Sequence, residues 1–508
     1  MHGVLQCLAL LAAGLSAGPV SAPHAPERFA IGVEYMLPGF AEVYARTGVK
    51  WAKAMGAGFT WGDIEPNPPS GGKHVYRWDD TDRLILEYQR AGFRNFHIYV
   101  RCINRWASSR PIKPIGGGSW PPKPQYLPDY LAFLRALVQR YDPKSPSHAP
   151  GLLYPVEYWE IESEWGTGFW QGSLSQYLDL LRVAYPTVKA ANPNARVILV
   201  GFFLAGVFEG LDDLDALPGA LARIPQPRRS ASERYLNEIR ELLRHPSLFD
   251  VVEFHSLSDW SEIRGMGRFL RKTMREQGYE KPIWVGDVNY TASPLVFWNQ
   301  PVPPYTARQK PAIDATLRAL ANRRHPRHEA AMAWFRAEQS SGLIKKTVLA
   351  MAEGLAGINL GNLSDVGLFS LVPGITGTIG FHGMVDSEGM PQRPGKPRPA
   401  YEALTTVVRL LDGFSEVRAL ALGSGIHAYA FGVRGRRVYV CWYDDGRRYL
   451  PGDRPPARTL DLPVEPGAYA LISAPIGAAT PPRRSVRAVG GKCRLEIGTT
   501  PVFLVSEP

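Results

Sequence analysis

Cysteine is scarce in this chain: 508 residues hold four, and Cys7 lies in the apolar leader. Cys102, Cys441 and Cys493 remain, an odd set that excludes a disulfide scaffold and lacks the paired spacing of a zinc site. Cys441 and Cys493 are the one pair placed for a bridge late in the chain. Beyond the N-terminus no apolar run is long enough to span a membrane. The glycine-rich loop that cradles phosphate in open nucleotide-binding sheets is also missing. Repeats and low-complexity segments are absent. Although the formal net charge is +11, Lys and Arg scatter through loops such as Arg228-Arg229, Arg323-Arg324 and Arg483-Arg484. They do not interleave with aromatics as in a nucleic-acid module, so no nucleic-acid partner is expected. A solvated basic surface accounts for them. The same charge would draw a polyanion over a Debye length, which makes an acidic polysaccharide one candidate substrate.

What is present begins with a leader. Val4 to Ala13 is an apolar run of signal-peptide length, followed by small residues but not preceded by Lys or Arg. Residues 1–22 are read as a signal peptide, and a secreted or periplasmic location follows as the expectation. Pro23 disfavours a cut after Ala22, and Ala17 offers an earlier one.

With 45% hydrophobic and 21% charged residues the chain can bury one large core and a smaller one. Short apolar strands alternate with amphipathic helical stretches, the pattern of a parallel α/β fold. Eight strands are read: 29–33, 51–55, 95–100, 156–161, 196–201, 251–255, 282–285 and 357–360. Helical runs such as 81–91, 127–141, 174–191 and 330–353 lie between them. This spacing predicts a (β/α)8 TIM barrel over residues 25–412, whose chemistry sits at the C-terminal strand ends. From residue 413 to 508 the pattern changes to short alternating strands and turns, at 426–433, 437–443, 458–462, 468–473 and 502–505, and predicts an antiparallel β-sandwich.

Two strand ends carry the chemistry. Trp159-Glu160-Ile161-Glu162-Ser163-Glu164 ends an aromatic and apolar strand in a carboxylate followed by Trp165 and Gly166. Its three glutamates alternate as a strand would place them on one face, where buried acids need partners or a task. Lys281 to Asp287 is a second apolar strand ending in an acid. Glu164 and Asp287 are thus a candidate pair for general acid and nucleophile or base. The longest irregular segments, 111–128, 291–311 and 364–397, also follow strands and would crowd the same face. Trp106, Trp120, Trp165, Trp170, Trp260 and Trp298 follow strands too, and flat aromatic faces pack on sugar rings. Arg101 and Arg105 are cations on that side, placed either for an acidic glycan or to pair with Glu160 or Glu162.

These pieces resemble the clan A glycoside hydrolases, closest in arrangement to family 39 and related bacterial proteins, over residues 29 to 508. Val49-Lys50-Trp51-Ala52-Lys53, with Trp61-Gly62-Asp63-Ile64-Glu65-Pro66 and Tyr76-Arg77-Trp78-Asp79, is similar to the family's second-strand block. Trp159 to Glu164 is similar to its fourth-strand block, whose last Glu is the acid/base. Phe249-Asp250-Val251-Val252 with His255 is similar to the sixth strand, and Lys281 to Val285 introduces the nucleophile position. Gly383-Met384-Val385-Asp386 and Arg398 to Leu404 are similar to the closing segment. The resemblance implies Glu164 as acid/base and Asp287 as nucleophile, with Ser163, His255, Lys53, Trp61, Trp165, Trp106 and Arg101 as substrate-binding residues.

Three positions depart from the family. Ser163 stands for Asn and loses an amide donor. Lys53 stands for Arg and loses the planar fork that orients a carboxylate. Asp287 stands for Glu, which withdraws the carboxylate by about 1.5 Å, one C–C bond. The expectation is a secreted glycosidase that cleaves O-glycosidic bonds of a polysaccharide or oligosaccharide, with retention implied by resemblance and inversion left open by the short Asp287. It requires no metal or organic cofactor. The departures motivate an alternative, a barrel that has lost hydrolysis and binds glycan in a polysaccharide assembly or export system.

Overall fold

The computed structural model describes residues 29–54, 58–113, 118–288, 308–365, 381–389, 391–477 and 482–507. The leader and Trp298 lie outside them. Eight short strands are buried along almost their whole length, as strands covered by helices must be. They are β1 (Ala30–Glu34), β2 (Trp51–Ala54), β3 (Asn95–Val100), β4 (Tyr158–Ile161), β5 (Arg196–Ile198), β6 (Val252–Ser256), β7 (Ile283–Val288) and β8 (Gly357–Leu360). Their spatial order is β5-β4-β3-β2-β1-β8-β7-β6. Parallel bridges from Ile198 to Val251 and from Phe202 to Phe254 join the outer strands and bring the sheet round into a barrel.

Helices return the chain outside the strands. The helix Leu174–Ala191 starts at a capping box formed by Ser173 and Gln176 and turns Tyr177, Leu178, Leu181, Ala184 and Val188 inward. Among the described residues no helix is long and apolar enough to cross a membrane.

β5 stops at Ile198, short of the expected Gly201, and two other strand ends bear on the site. β4 stops at Ile161 because Glu162 turns to φ +67 and Glu164 to φ +25, so the alternation read through Glu164 breaks after Glu160. β7 instead runs on to Val288, so Asp287 lies inside a strand rather than at its end.

After β8 come a hairpin, β9 (Val385–Glu388) and β10 (Arg393–Pro397), and a closing helix, Pro399–Leu411. The remaining strands are antiparallel: β11 (Phe414–Ala419), β12 (Ile426–Val433), β13 (Arg436–Tyr443), β14 (Arg458–Pro463), β15 (Gly467–Ser473), β16 (Arg483–Ala488), β17 (Lys492–Ile497) and β18 (Val502–Ser506). Six form the sheet β11-β12-β13-β18-β15-β16, and β14 pairs with β17. Alternation divides that sheet between two cores. Tyr429, Phe431, Val440, Trp442 and Phe503 join the barrel's core. Ala428, Tyr439, Cys441, Leu471 and Leu504 meet Leu460, Leu462, Cys493, Leu495 and Ile497 of the ribbon. Cys441 and Cys493 are therefore buried neighbours in one apolar core, but both are free thiols, so the bridge open in the sequence is not formed.

Candidate active site

The inner layer of the barrel is polar. Glu34 on β1, Lys53 on β2, His97 on β3, Glu160 on β4, Glu253 on β6 and Asn359 on β8 are all fully buried, and His255 on β6 nearly so. Glycines make the room. A Cβ on Gly286 would sit 1.5 Å from Glu253 Oε1, and one on Gly201 would sit 2.1 Å from His255 Nε2.

Buried charges persist only when paired, and these are paired in a chain. Lys53 Nζ lies 3.0 Å from Glu160 Oε2 and donates to Glu253 Oε1. His97 Nε2 is 3.2 Å from Glu160 Oε2 and from Glu253 Oε2. His255 joins Glu253 Oε1 at 3.0 Å through Nε2 and Glu164 Oε1 at 2.9 Å through Nδ1. Burial opposes ionisation of Glu253, but Lys53, His97 and His255 outweigh it and hold the carboxyl well below its usual range. Burial also opposes charge on Lys53, yet Glu160 and Glu253 raise its pKa. For His255 burial is again opposed, here by hydrogen bonds to Glu164 and Glu253, and its pKa is pushed up to about 10. At neutral pH His255 is thus an imidazolium, hydrogen-bonded to Glu253 and Glu164.

Glu164 and Asp287 crown this chain, with 8% and 7% of their surface exposed above fully closed neighbours. One ligand atom each from Glu164, His255 and Asp287 lies within 4.8 Å of the others. The two carboxylates therefore share one small space. Retaining glycosidases hold their carboxyls about 5 to 5.5 Å apart and inverting ones about 6.5 to 9.5 Å, to admit a water. Both nearby cations are already bonded within the protein: His255 joins Glu164 and Glu253, and the Lys53 ammonium joins Glu160 and Glu253.

The three glutamates of the Trp159–Glu164 segment part company. Glu160 points to Lys53, Glu164 to His255, and Glu162 accepts from the Cys102 N–H at 2.7 Å. Of the expected binding residues, Lys53 and His255 join the network. Ser163 is buried beside Glu164, and its Oγ has no partner among the described residues. Arg101 is buried, donates to Ser119 Oγ at 3.2 Å and to Phe169 O at 3.3 Å, and stands 4.0 Å from Glu162. Trp61 is fully enclosed, bonded to Glu65 at 2.8 Å and edge-on to Trp106 at 4.8 Å. Trp106 is half-buried and bonds the Glu65 carbonyl at 3.1 Å. Trp165 is buried, with its Nε1 on Glu238 at 2.8 Å.

Glu34, Tyr35, His97, Glu253 and Asn359 were not read as site residues. Two carried a signal: Glu34 ends its strand in an acid, and Glu253 precedes His255 by two and so shares its face. His97 and Asn359 take their meaning from strands distant in sequence, within 3.2 Å of each other.

No family model and no curated protein sequence matches the chain. Solved structures do. A family 39 glycoside hydrolase from Bacteroides cellulosilyticus WH2 is 16% identical, with a TM-score of 0.58 over 94% of this chain and 81% of that one. A glucosidase from Croceicoccus marinus is 11% identical, with a TM-score of 0.55 over 96% and 97%. The catalytic domain of GH30 xylanase C from Talaromyces cellulolyticus is 12% identical, with a TM-score of 0.51 over 95% and 98%. Over nearly its whole length, the chain has the fold of these glycoside hydrolases.

Proposed function

We propose that the protein is a retaining glycosidase acting on a polysaccharide or oligosaccharide, exported by its leader. The barrel, residues 25–412, is the catalytic unit, and residues 413–508 form an accessory unit against its flank. The close approach of Glu164 and Asp287, one carboxyl oxygen of each within 4.8 Å of the other, carries this reading. An Asp287 oxygen attacks the anomeric carbon as the bond to the leaving oxygen breaks, and Glu164 gives its proton to that oxygen. Glu164 then takes a proton from water, which displaces Asp287 from the sugar. His255 supports both steps, because its Nδ1–H on Glu164 Oε1 stabilises the charge that appears as the proton leaves. The shortness of Asp287 is offset by its place within β7, where the backbone brings the carboxylate up to Glu164.

The test is release of reducing ends from a panel of neutral and acidic polysaccharides, with product anomers followed by NMR. Glu164→Gln should lower turnover by about 10²- to 10⁴-fold while binding persists, and Asp287→Asn should abolish it. The first product should keep the substrate's anomeric configuration. An inverted product would exclude the nucleophile role of Asp287. Binding without any release would leave the glycan-binding alternative.

A further inference from the structure

Glu34 is the one acid of the inner layer that the network does not use. It ends β1, is fully buried, and neither carboxyl oxygen has a hydrogen-bond partner as an ionised group. Gly361 on the facing side leaves it space: a Cβ there would lie 2.0 Å from Glu34 Oε1. Its polar neighbours are the Asp287 carboxyl and the Val288 N–H from β7 and the Lys53 ammonium from β2. On its own strand Tyr35 follows, close to Glu34, Asp287 and Glu164. Lys53 is committed to Glu160 and Glu253. Among the described residues no cation forms an ion pair with Glu34, and the His255 imidazolium, within 4.8 Å of Asp287, has both its N–H groups on Glu164 and Glu253. Two adjacent buried carboxylates whose nearest cations are bonded to other acids resist ionising together at neutral pH, whereas one proton between them turns repulsion into a hydrogen bond.

We propose that Glu34 and Asp287 form a carboxyl dyad holding a single proton at neutral pH, which makes Glu34 the positioning residue of the nucleophile. The role rests on the glycosidase reading of Asp287. In the dyad the Glu34 O–H donates to one oxygen of the Asp287 carboxylate and leaves the other to attack carbon, so a short side chain is aimed by a partner rather than by an arginine fork. Burial, then the charge of Asp287, drive Glu34 well above the usual carboxylate range, in keeping with Glu34 as the proton's home.

Infrared spectra of the full-length protein at neutral pH test the dyad without a substrate. The wild type should show the carbonyl band of a buried, protonated carboxyl that Glu34→Gln removes. Asp287→Asn should shift that band, because the Glu34 proton then bonds a neutral amide instead of a carboxylate. Other buried acids, such as Glu262, contribute bands that both variants retain. A wild-type spectrum unchanged by Glu34→Gln would overturn the proposal, as would a Glu34 band whose frequency is the same in Asp287→Asn as in the wild type.

The second arm is kinetic. On an aryl glycoside whose leaving group departs without protonation, wild-type kcat/KM should fall on the alkaline side as the shared proton is lost. Glu34→Gln, whose amide always donates, should keep its activity there. Glu34→Leu should lose about ten- to hundredfold across the range, the value of one hydrogen bond to a charged group. Identical pH profiles for wild type and Glu34→Gln would overturn the role. The infrared bands stand or fall whether or not any glycan is cleaved, so loss of the dyad and loss of the glycosidase reading are told apart.

Discussion

Lys53 has no contact with water and touches two carboxylates. Its point charge suits that place, since one ammonium can bond Glu160 and Glu253 at once where a planar guanidinium would need a flatter slot. Read in sequence, Lys53 was a weakened arginine; in the fold it is the counterion of the inner layer. Lys53→Met should therefore strip two buried acids of their shared ammonium, leaving them only histidine partners, and cost about 3 to 5 kcal/mol in urea denaturation. A loss below about 1 kcal/mol, as at an exposed pair, would show that the acids simply take up protons. The same distinction explains which residues were legible. Glu164, Asp287, His255 and Lys53 stand at or near strand ends or beside aromatic blocks, and local pattern exposes them. The roles of Glu34, Glu253 and His97 arise from partners on other strands, which no local window contains.

The barrel strands were legible because each is an apolar run bounded by turns, and 95–100 and 357–360 match their observed limits. β4 ends at Ile161 as expected, whereas β5 stops three residues early and β7 runs three residues on, to Val288. In the sandwich, β11, β16 and β17 escaped notice. The first two are sheet edges whose sequences, Phe-Ser-Glu-Val-Arg-Ala and Arg-Arg-Ser-Val-Arg-Ala, put charge on the open face. β17 does alternate, with Cys493, Leu495 and Ile497 inward, but charged residues at every other position dilute the signal. Within β7, Gly286 is where the strand yields to its neighbour. A methyl there must displace Glu253 from Lys53 and His255. Gly286→Ala should cost about 1 to 3 kcal/mol from overpacking, with turnover falling alongside the melting temperature. Gly219→Ala, in a helix with nothing within 4 Å of the added carbon, should not lower the melting temperature.

Across the whole molecule the barrel and the six-stranded sheet share one continuous core, so unfolding should be a single transition whose pH dependence sums groups from both parts. His427 marks the junction, stacked on Trp442 at 5.1 Å and edge-on to Trp260 at 5.0 Å. Burial and then the charges of Arg264 and Lys345 lower its pKa to about 4. His382, buried against Phe335, is lowered to about 3 by burial, then by Arg336 and Lys346. His255 is raised to about 10. The signs oppose. A histidine kept neutral in the fold contributes stability above its unfolded pKa of about 6.5, and that stability drains as pH falls toward 3 or 4. His255, charged in the fold, contributes most below about 6.5, and its share drains as pH rises from there through 10. Denaturation midpoints should thus rise from acid to a maximum near pH 6 to 7 and fall on the alkaline side. His255→Gln should flatten the alkaline fall and leave the acid rise in place. An alkaline limb unchanged in that variant would mean that the imidazolium between Glu164 and Glu253 does not form, and with it would go the charge that supports Glu164 in catalysis.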